Sequence, residues 1–283
     1  MNTSQKQKIV DLLPEFIERC GSQRKACMHL PISQAYLIQM LKGDFSKVSL
    51  DKWNALARAV GFSFTGWQIA ETIVHKELSA VLNVSCSENQ VSAIVSPTSS
   101  GKSSACKHYK QQNPHCAYVE CDSQMTFKEL YKELLASLGV SIKGTVYKQK
   151  KELAERMKGK QTSLVIIDEP QKLKKAVFVD LIGLVNKLDN NSGLVLIGTQ
   201  VLEDRITDFM RSGDSTADEF YSRIGKKIIH IKPLTLKDFK EVCQANGITD
   251  PVAIEGLIEE SKWDFRRLRK LIEVKRVTRS KTA

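Results

Sequence analysis

The 283-residue sequence predicts an α/β protein, with a parallel sheet flanked by helices, one small helical unit ahead of the sheet and another behind it. Three observations carry this. The apolar run Val91 to Val95 enters Ser96-Pro97-Thr98-Ser99-Ser100-Gly101-Lys102-Ser103, and a helix-like stretch follows from Ser104 to Gln111. That is the strand, tight loop and helix of a phosphate-binding loop, in which backbone N–H groups and the helix N-terminus face the β- and γ-phosphates. Ser163-Leu164-Val165-Ile166-Ile167-Asp168-Glu169 is unbroken apolar chain ending in two carboxylates, as a central parallel strand covered on both faces requires. Strand-like and helix-like segments alternate from about residue 89 to 232, the pattern of a parallel sheet with helices on both sides.

Taken in order, residues 1–61 read as a separate helical module. Ile9, Leu12, Leu13, Phe16 and Ile17 form a helical stripe between Lys8 and Cys20. Ser22 is placed to cap a second helix from Gln23 to His29, Leu30-Pro31-Ile32 makes a turn, and Ser33 caps a third helix that runs to about Leu41 and stops at Gly43. The pair reads as a helix-turn-helix, and Leu50 to Val60 closes its core with Trp53, Leu56 and Ala57. The start of the second helix in such a motif faces the major groove. Ser33, Gln34, Tyr36 and Gln39 are therefore candidate base contacts and Lys42 a phosphate contact, although Tyr36 fits the core equally well. A helical bundle used for protein contacts is the other reading of the module.

Residues 62–88 form a connection, with a helix expected from Trp67 to Leu82. In the core, Lys102 would neutralise phosphate charge and the Ser103 hydroxyl would bind Mg²⁺. Asp168, at the C-terminal edge of its strand, where open α/β sheets place ligands, could hold the ion through its water shell, and Glu169 would polarise the attacking water. The run Gly193 to Gly198 reads as another buried strand, with Thr199 at its tip to orient the water or sense the γ-phosphate. Phe220-Tyr221-Ser222-Arg223-Ile224 precedes a strand-like segment from Lys227 to Ile231. Pro233 opens a final unit, residues 233–283, with helices expected over Leu234 to Ala245, Pro251 to Ser261 and Asp264 to Arg276; the basic tail beyond reads as disordered.

The order of phosphate loop, Asp-Glu strand, polar-tipped strand, arginine before the last strand and arginine in a helical lid resembles the AAA+ ATPases. Within them it is most similar to the transposition target-selection ATPases, the MuB group of Mu-like phages first, then the TnsC and IstB groups. Leu164 to Glu169, Gly193 to Thr199 and Phe220 to Arg223 carry the resemblance most specifically. It implies an AAA+ P-loop ATPase core with a helical lid and an N-terminal helix-turn-helix domain. ATP and Mg²⁺ would be the cofactors. Ser96 to Ser104, including Pro97, Thr98, Ser99, Ser100, Gly101 and Lys102, with Arg266 as the lid's sensor, would bind the nucleotide. Arg223 would be the arginine finger of a neighbouring subunit, with Arg205, Arg211 and Arg267 as substitutes. Ser96 stands where the loop pattern has glycine, and Thr199 where MuB-like proteins often carry asparagine. Each arginine also reads as a solvated surface charge.

Forty-three Lys and Arg against 32 Asp and Glu give a net charge of +11, which favours a polyanionic partner. Lys143, Lys148, Lys150 and Lys151 form a basic segment in a region that, in related target-selection ATPases, lies near DNA; such a row of like charges is also what a solvated helix face looks like. The seven cysteines show no paired CxxC spacing and read as reduced thiols of a cytosolic protein. The N-terminus is polar and charged, unlike a signal peptide, and no apolar run reaches membrane-span length. The resemblance implies a cytoplasmic product of a bacterial mobile element or prophage: a homo-oligomer, filament or ring, on largely sequence-tolerant double-stranded DNA, recruiting a transposase of the DDE type. A helicase loader or replication initiator would share every nucleotide residue. A helix-turn-helix transcription regulator with a nucleotide-switch domain is the reading from another class.

Overall fold

The computed structural model describes residues 3–30, 32–44, 48–62, 67–141, 144–159, 163–186 and 192–282. The sheet has five parallel strands, β1 Val91–Val95, β2 Cys116–Glu120, β3 Leu164–Asp168, β4 Gly193–Gly198 and β5 Ile229–His230, in the order β2-β3-β4-β1-β5. Strand alternation divides the core in two. Val165 and Ile167 of β3 and Leu194 and Leu196 of β4 face one apolar layer, while Leu164, Ile166, Val195 and Ile197 face the other. With both faces covered, β3 and β4 are buried along their whole length. This is why their sequences carry no polar alternation.

The first layer is built by α8 Phe127–Ser137, α9 Val146–Lys158, α10 Lys175–Asn186, α11 Gln200–Arg211 and α12 Ser215–Arg223, and the second by α6 Ile73–Ser87 and α7 Lys102–Gln112. Register sets the site: Val95 of β1 pairs with Gly198, and Asp168 with Ile197. The ends of β1, β3 and β4, with the loops that leave them, therefore converge at one edge.

Ahead of α6, the described residues form the helices α1 Thr3–Asp11, α2 Leu13–Cys20, α3 Gln23–His29, α4 Gln34–Leu41 and α5 Leu50–Ala59. They share a core of their own around Leu13, Leu37, Met40 and Trp53. The expected first helix is split at Leu12, because Pro14 sits in the first turn of α2, the one part of a helix that tolerates it. Ser22 and Ser33 cap α3 and α4, accepting from Lys25 N at 3.2 Å and Tyr36 N at 3.4 Å. The bundle rests on the C-terminal end of α7. Arg19 Nη1 donates to Gln111 O (3.1 Å), Gln111 Nε2 donates to Arg58 O (3.4 Å), and the His29 and His115 rings meet edge-on at 5.8 Å. A Cβ on Gly139, whose φ is +73°, would lie 1.5 Å from Met28 O, so only glycine permits that approach.

After the sheet come α13 Leu236–Ala245, α14 Pro251–Ser261 and α15 Phe265–Thr282, packed around Phe239, Ile258 and Leu268. Two expectations change here. The backbone of α15 continues past Arg276 to Thr282, where a disordered tail was expected. The chain from Trp67 to Thr72 is not helical: Asn246 holds it from the lid, accepting from Gln68 N (2.9 Å) and donating to Gln68 O (3.0 Å). Helix α6 starts only after Thr72, whose hydroxyl accepts from His75 N, while Asp238 accepts from Ile73 N.

Candidate functional site

A cleft of about 680 Å³ lies between the sheet edge, the lid and the strap 67–72; Lys102, Glu169, Thr199, Arg266, Phe265 and Trp67 are among the residues lining it. Its floor is the loop after β1. The Ser96 and Ser100 hydroxyls bond at 2.9 Å and close the loop on itself, Ser99 and Gly101 take left-handed conformations (φ +59° and +91°), and α7 begins at Lys102. Ser96 and Ser100 are buried, Pro97, Thr98 and Ser104 exposed. Ser96, where glycine was expected, thus stabilises the turn through its side chain.

Lys102 is buried, and its ammonium donates to Ser96 O (3.3 Å) and Pro97 O (2.9 Å), with Glu169 Oε1 at 3.7 Å. Burial lowers its pKa most, the Glu169 and Asp168 carboxylates oppose that, and Arg266 adds to it. At the end of β3, Asp168 is fully buried. Burial raises its pKa, while the Ser103 and Tyr118 hydroxyls pull it back. Tyr118 Oη donates to Oδ2 at 3.0 Å, and Oδ1 has no partner among the described residues. A buried carboxylate oxygen without a partner, with a serine hydroxyl close by, fits a hard divalent cation that takes oxygen ligands.

Glu169 leaves the strand in a left-handed conformation (φ +59°, ψ +40°), its N–H bonded to Ile197 O at 2.7 Å. It is the N-cap of the 3-10 turn Pro170–Lys172. Thr199 caps β4 across from it, and from the lid Arg266 lines the same cleft, with Asp264 close enough to the Ser99 hydroxyl for that contact to lower its pKa, after the larger pull of the Arg267 N–H.

The structure thus brings Lys102, Ser103, Asp168, Glu169, Thr199 and Arg266 together. Arg223 is not among the cleft residues; it ends α12, 3.1 Å from Glu219. Of its substitutes, Arg205 Nη1 donates to Gln171 O and Leu173 O, Arg211 pairs with Asp208, and the Arg267 N–H bonds Asp264. Among the nucleic-acid candidates, Gln34, Gln39 and Lys42 are exposed, Ser33 caps α4, and Tyr36 packs on the bundle core with the Lys52 ammonium 5.5 Å from its ring. Lys148 and Lys151 are exposed on α9, Lys151 with Glu155 at 3.7 Å. Lys150 is tied to Asp180 and lies over the rings of Phe127 and Tyr131. Lys143 lies outside the described residues.

Sequence reasoning missed Tyr118, Gln171, Trp67 and Arg269. The Arg269 guanidinium stacks 5.0 Å over Trp67 and joins lid to strap. The one signal on offer was position: Gln171 stands two residues after Glu169. Tyr118 and Trp67 act across chain distances that periodicity does not encode.

A strand–loop–helix cradle, two strand-end carboxylates and a five-stranded parallel sheet with a helical lid define a P-loop nucleotide-binding core of the AAA+ fold. Residues 85–206 match the family model for an AAA domain. None of the curated proteins matches the chain. Among solved structures, the chain is similar to the crystal structure of Cdc6p from Pyrobaculum aerophilum, at 15% identity over 60% of this chain and 47% of that one, with a TM-score of 0.44. The chain therefore spans about half the length of that protein. Among the described residues no helix is long and apolar enough to cross a membrane.

Proposed function

We propose that the chain hydrolyses ATP and binds double-stranded DNA as a homo-oligomer, filament or ring, of the MuB kind, and that it recruits a transposase of the DDE type. The observation that carries the ATPase reading is the convergence of Lys102, Glu169 and Arg266 on one cleft floored by a phosphate loop, with Asp168 buried next to Glu169 at the end of β3. The charge of +11 and the helix pair α3–α4, with exposed Gln34 and Gln39, support DNA as partner. Transposition rests on the resemblance of the Asp-Glu strand, the Gly193 to Thr199 strand and Phe220 to Arg223 to target-selection ATPases.

The residues divide the work by charge. Lys102 and Arg266 face the phosphates from the loop and from the lid. Ser103 and Asp168 would hold Mg²⁺, which when bound neutralises charge on the β- and γ-phosphates. Glu169 takes a proton from the attacking water, with Thr199 opposite to orient it. The lid and the strap exclude bulk water, and Arg223 completes the site of the next subunit.

Negative-stain imaging with ATP and long duplex DNA tests the whole reading. The expected result is continuous coating of duplexes regardless of sequence, lost in Lys102→Ala. A discrete dimer footprinting one operator sequence, indifferent to ATP, would overturn it in favour of a regulator.

A further inference from the structure

The turn after Glu169 holds a side chain that the reaction scheme above does not use. Gln171 folds back so that Nε2 donates to Glu169 Oε2 at 2.8 Å and to Thr199 Oγ1 at 3.4 Å. One amide thus spans the group read as the base and the polar tip of the neighbouring strand. Two further features keep it there. Arg205, its guanidinium 4.3 Å from the Phe178 ring centre, donates through Nη1 to the backbone carbonyls of Gln171 (2.5 Å) and Leu173 (2.6 Å), which fixes the 3-10 turn from behind. On the other side the chain keeps glycine at position 198, where a Cβ would lie 2.4 Å from Gln171 Oε1 and 2.8 Å from Leu202 Cβ. A backbone clamp and a missing methyl group both serve one amide.

The need for such a holder follows from Glu169 itself. Its left-handed backbone is costly for a side chain with a Cβ, and the flexible carboxylate on it faces two cations, Lys102 at 3.7 Å and Lys172 at 3.6 Å. Left to charge alone, Glu169 would turn to whichever ammonium is nearer. A directional N–H···O bond selects one rotamer, and a bond from the same nitrogen to Thr199 ties that rotamer to the end of β4.

We propose that Gln171 is a positioning residue that sets the Glu169 carboxylate for water activation and couples it to Thr199. This rests on the ATPase reading. Gln171→Leu, which keeps the bulk and loses the amide, should lower kcat about 10²-fold, the scale of a misplacement near 1 Å, while KM and the Kd of a fluorescent ATP analogue stay within twofold of wild type. Gln171→Glu, isosteric but unable to donate, should show the same split, and it keeps the test open should the leucine variant fail to fold. Thr199→Val should lower kcat on its own, and the double variant Gln171→Leu/Thr199→Val should lose less than the product of the two single losses, because the two share one bridge.

If wild type hydrolyses ATP and both Gln171 variants turn over at its rate, or if their losses multiply with that of Thr199→Val, the positioning role is wrong and the ATPase reading stands. A wild-type protein with no hydrolysis, with or without DNA, sinks the ATPase reading and the role of Gln171 with it. A parallel loss of nucleotide affinity and melting temperature in both variants would make Gln171 a structural residue only.

Discussion

Lys102 and Glu169 lie 3.7 Å apart, yet their removal should have different signatures. Lys102 sits at the first residue of α7 with its ammonium against the loop carbonyls, so Lys102→Ala removes the cation proposed to meet the triphosphate. Nucleotide binding should then fall below detection in an equilibrium titration. Glu169→Gln keeps the size and the reach of the side chain but loses the proposed base. Binding should survive and turnover should slow by about 10²- to 10⁴-fold in a steady-state assay. Unchanged turnover in Glu169→Gln would move the base elsewhere. Both residues were legible in the sequence because loop and strand end are contiguous motifs. Tyr118, the phenol on Asp168, was not: it comes from the adjacent strand β2, 50 residues earlier, and only the register brings it there.

At the level of whole elements, the N-terminal bundle meets the sheet domain through groups that titrate. His29 lies against His115, with Lys110 near both, and burial first, then Lys110 and His115, lowers its pKa from the ordinary 6.5 to about 4. His115 is lowered in the same direction by burial, Lys25 and Lys110, and His108, on α7 nearby, by burial and Arg19. A histidine depressed in the folded state is neutral there while the free side chain takes a proton, so its contribution is intact above pH 6.5 and is lost as pH falls from 6.5 toward 4. Protease cutting between the bundle and α6 should rise over that window, and His29→Gln should flatten the rise. A cutting rate independent of pH between 7 and 4.5 would show that these rings do not hold the bundle in place.

The same elements show where a sequence stops being readable. Strands β1, β3 and β4 were plain because strands covered on both faces are mostly apolar, the buried Ser92 of β1 being paired with Ser85 at 3.3 Å. The strap from Trp67 to Thr72 was expected to be helical, yet it is not, because the lid residue Asn246, 178 positions away, takes both backbone groups of Gln68. Such tertiary override leaves no trace in local composition.

On the scale of the molecule, Arg223 poses a question that one subunit does not answer. It stands at the end of α12, outside the cleft, beside Glu219. Action across a subunit boundary predicts complementation. Arg223→Ala and Lys102→Ala, each inactive alone, should recover part of the ATPase rate when mixed, since some interfaces then pair an intact loop with an intact arginine. Mixing that restores nothing, together with full activity of Arg223→Ala alone, would assign the finger to another residue.

Helix α7 joins the two halves of this molecule more directly than any loop does. Its first residue, Lys102, is in the cleft, and its eleven residues extend about 16 Å to its C-terminal turn, where Gln111 meets Arg19 and the Arg58 carbonyl of the bundle. One helix thus has its first residue in the cleft and its last turn on the bundle. Linkage makes the traffic reciprocal. If a triphosphate on Lys102 changes how tightly the bundle grips DNA, then DNA on the bundle changes the hold on the triphosphate by the same factor, and either ligand can be read out by titrating the other.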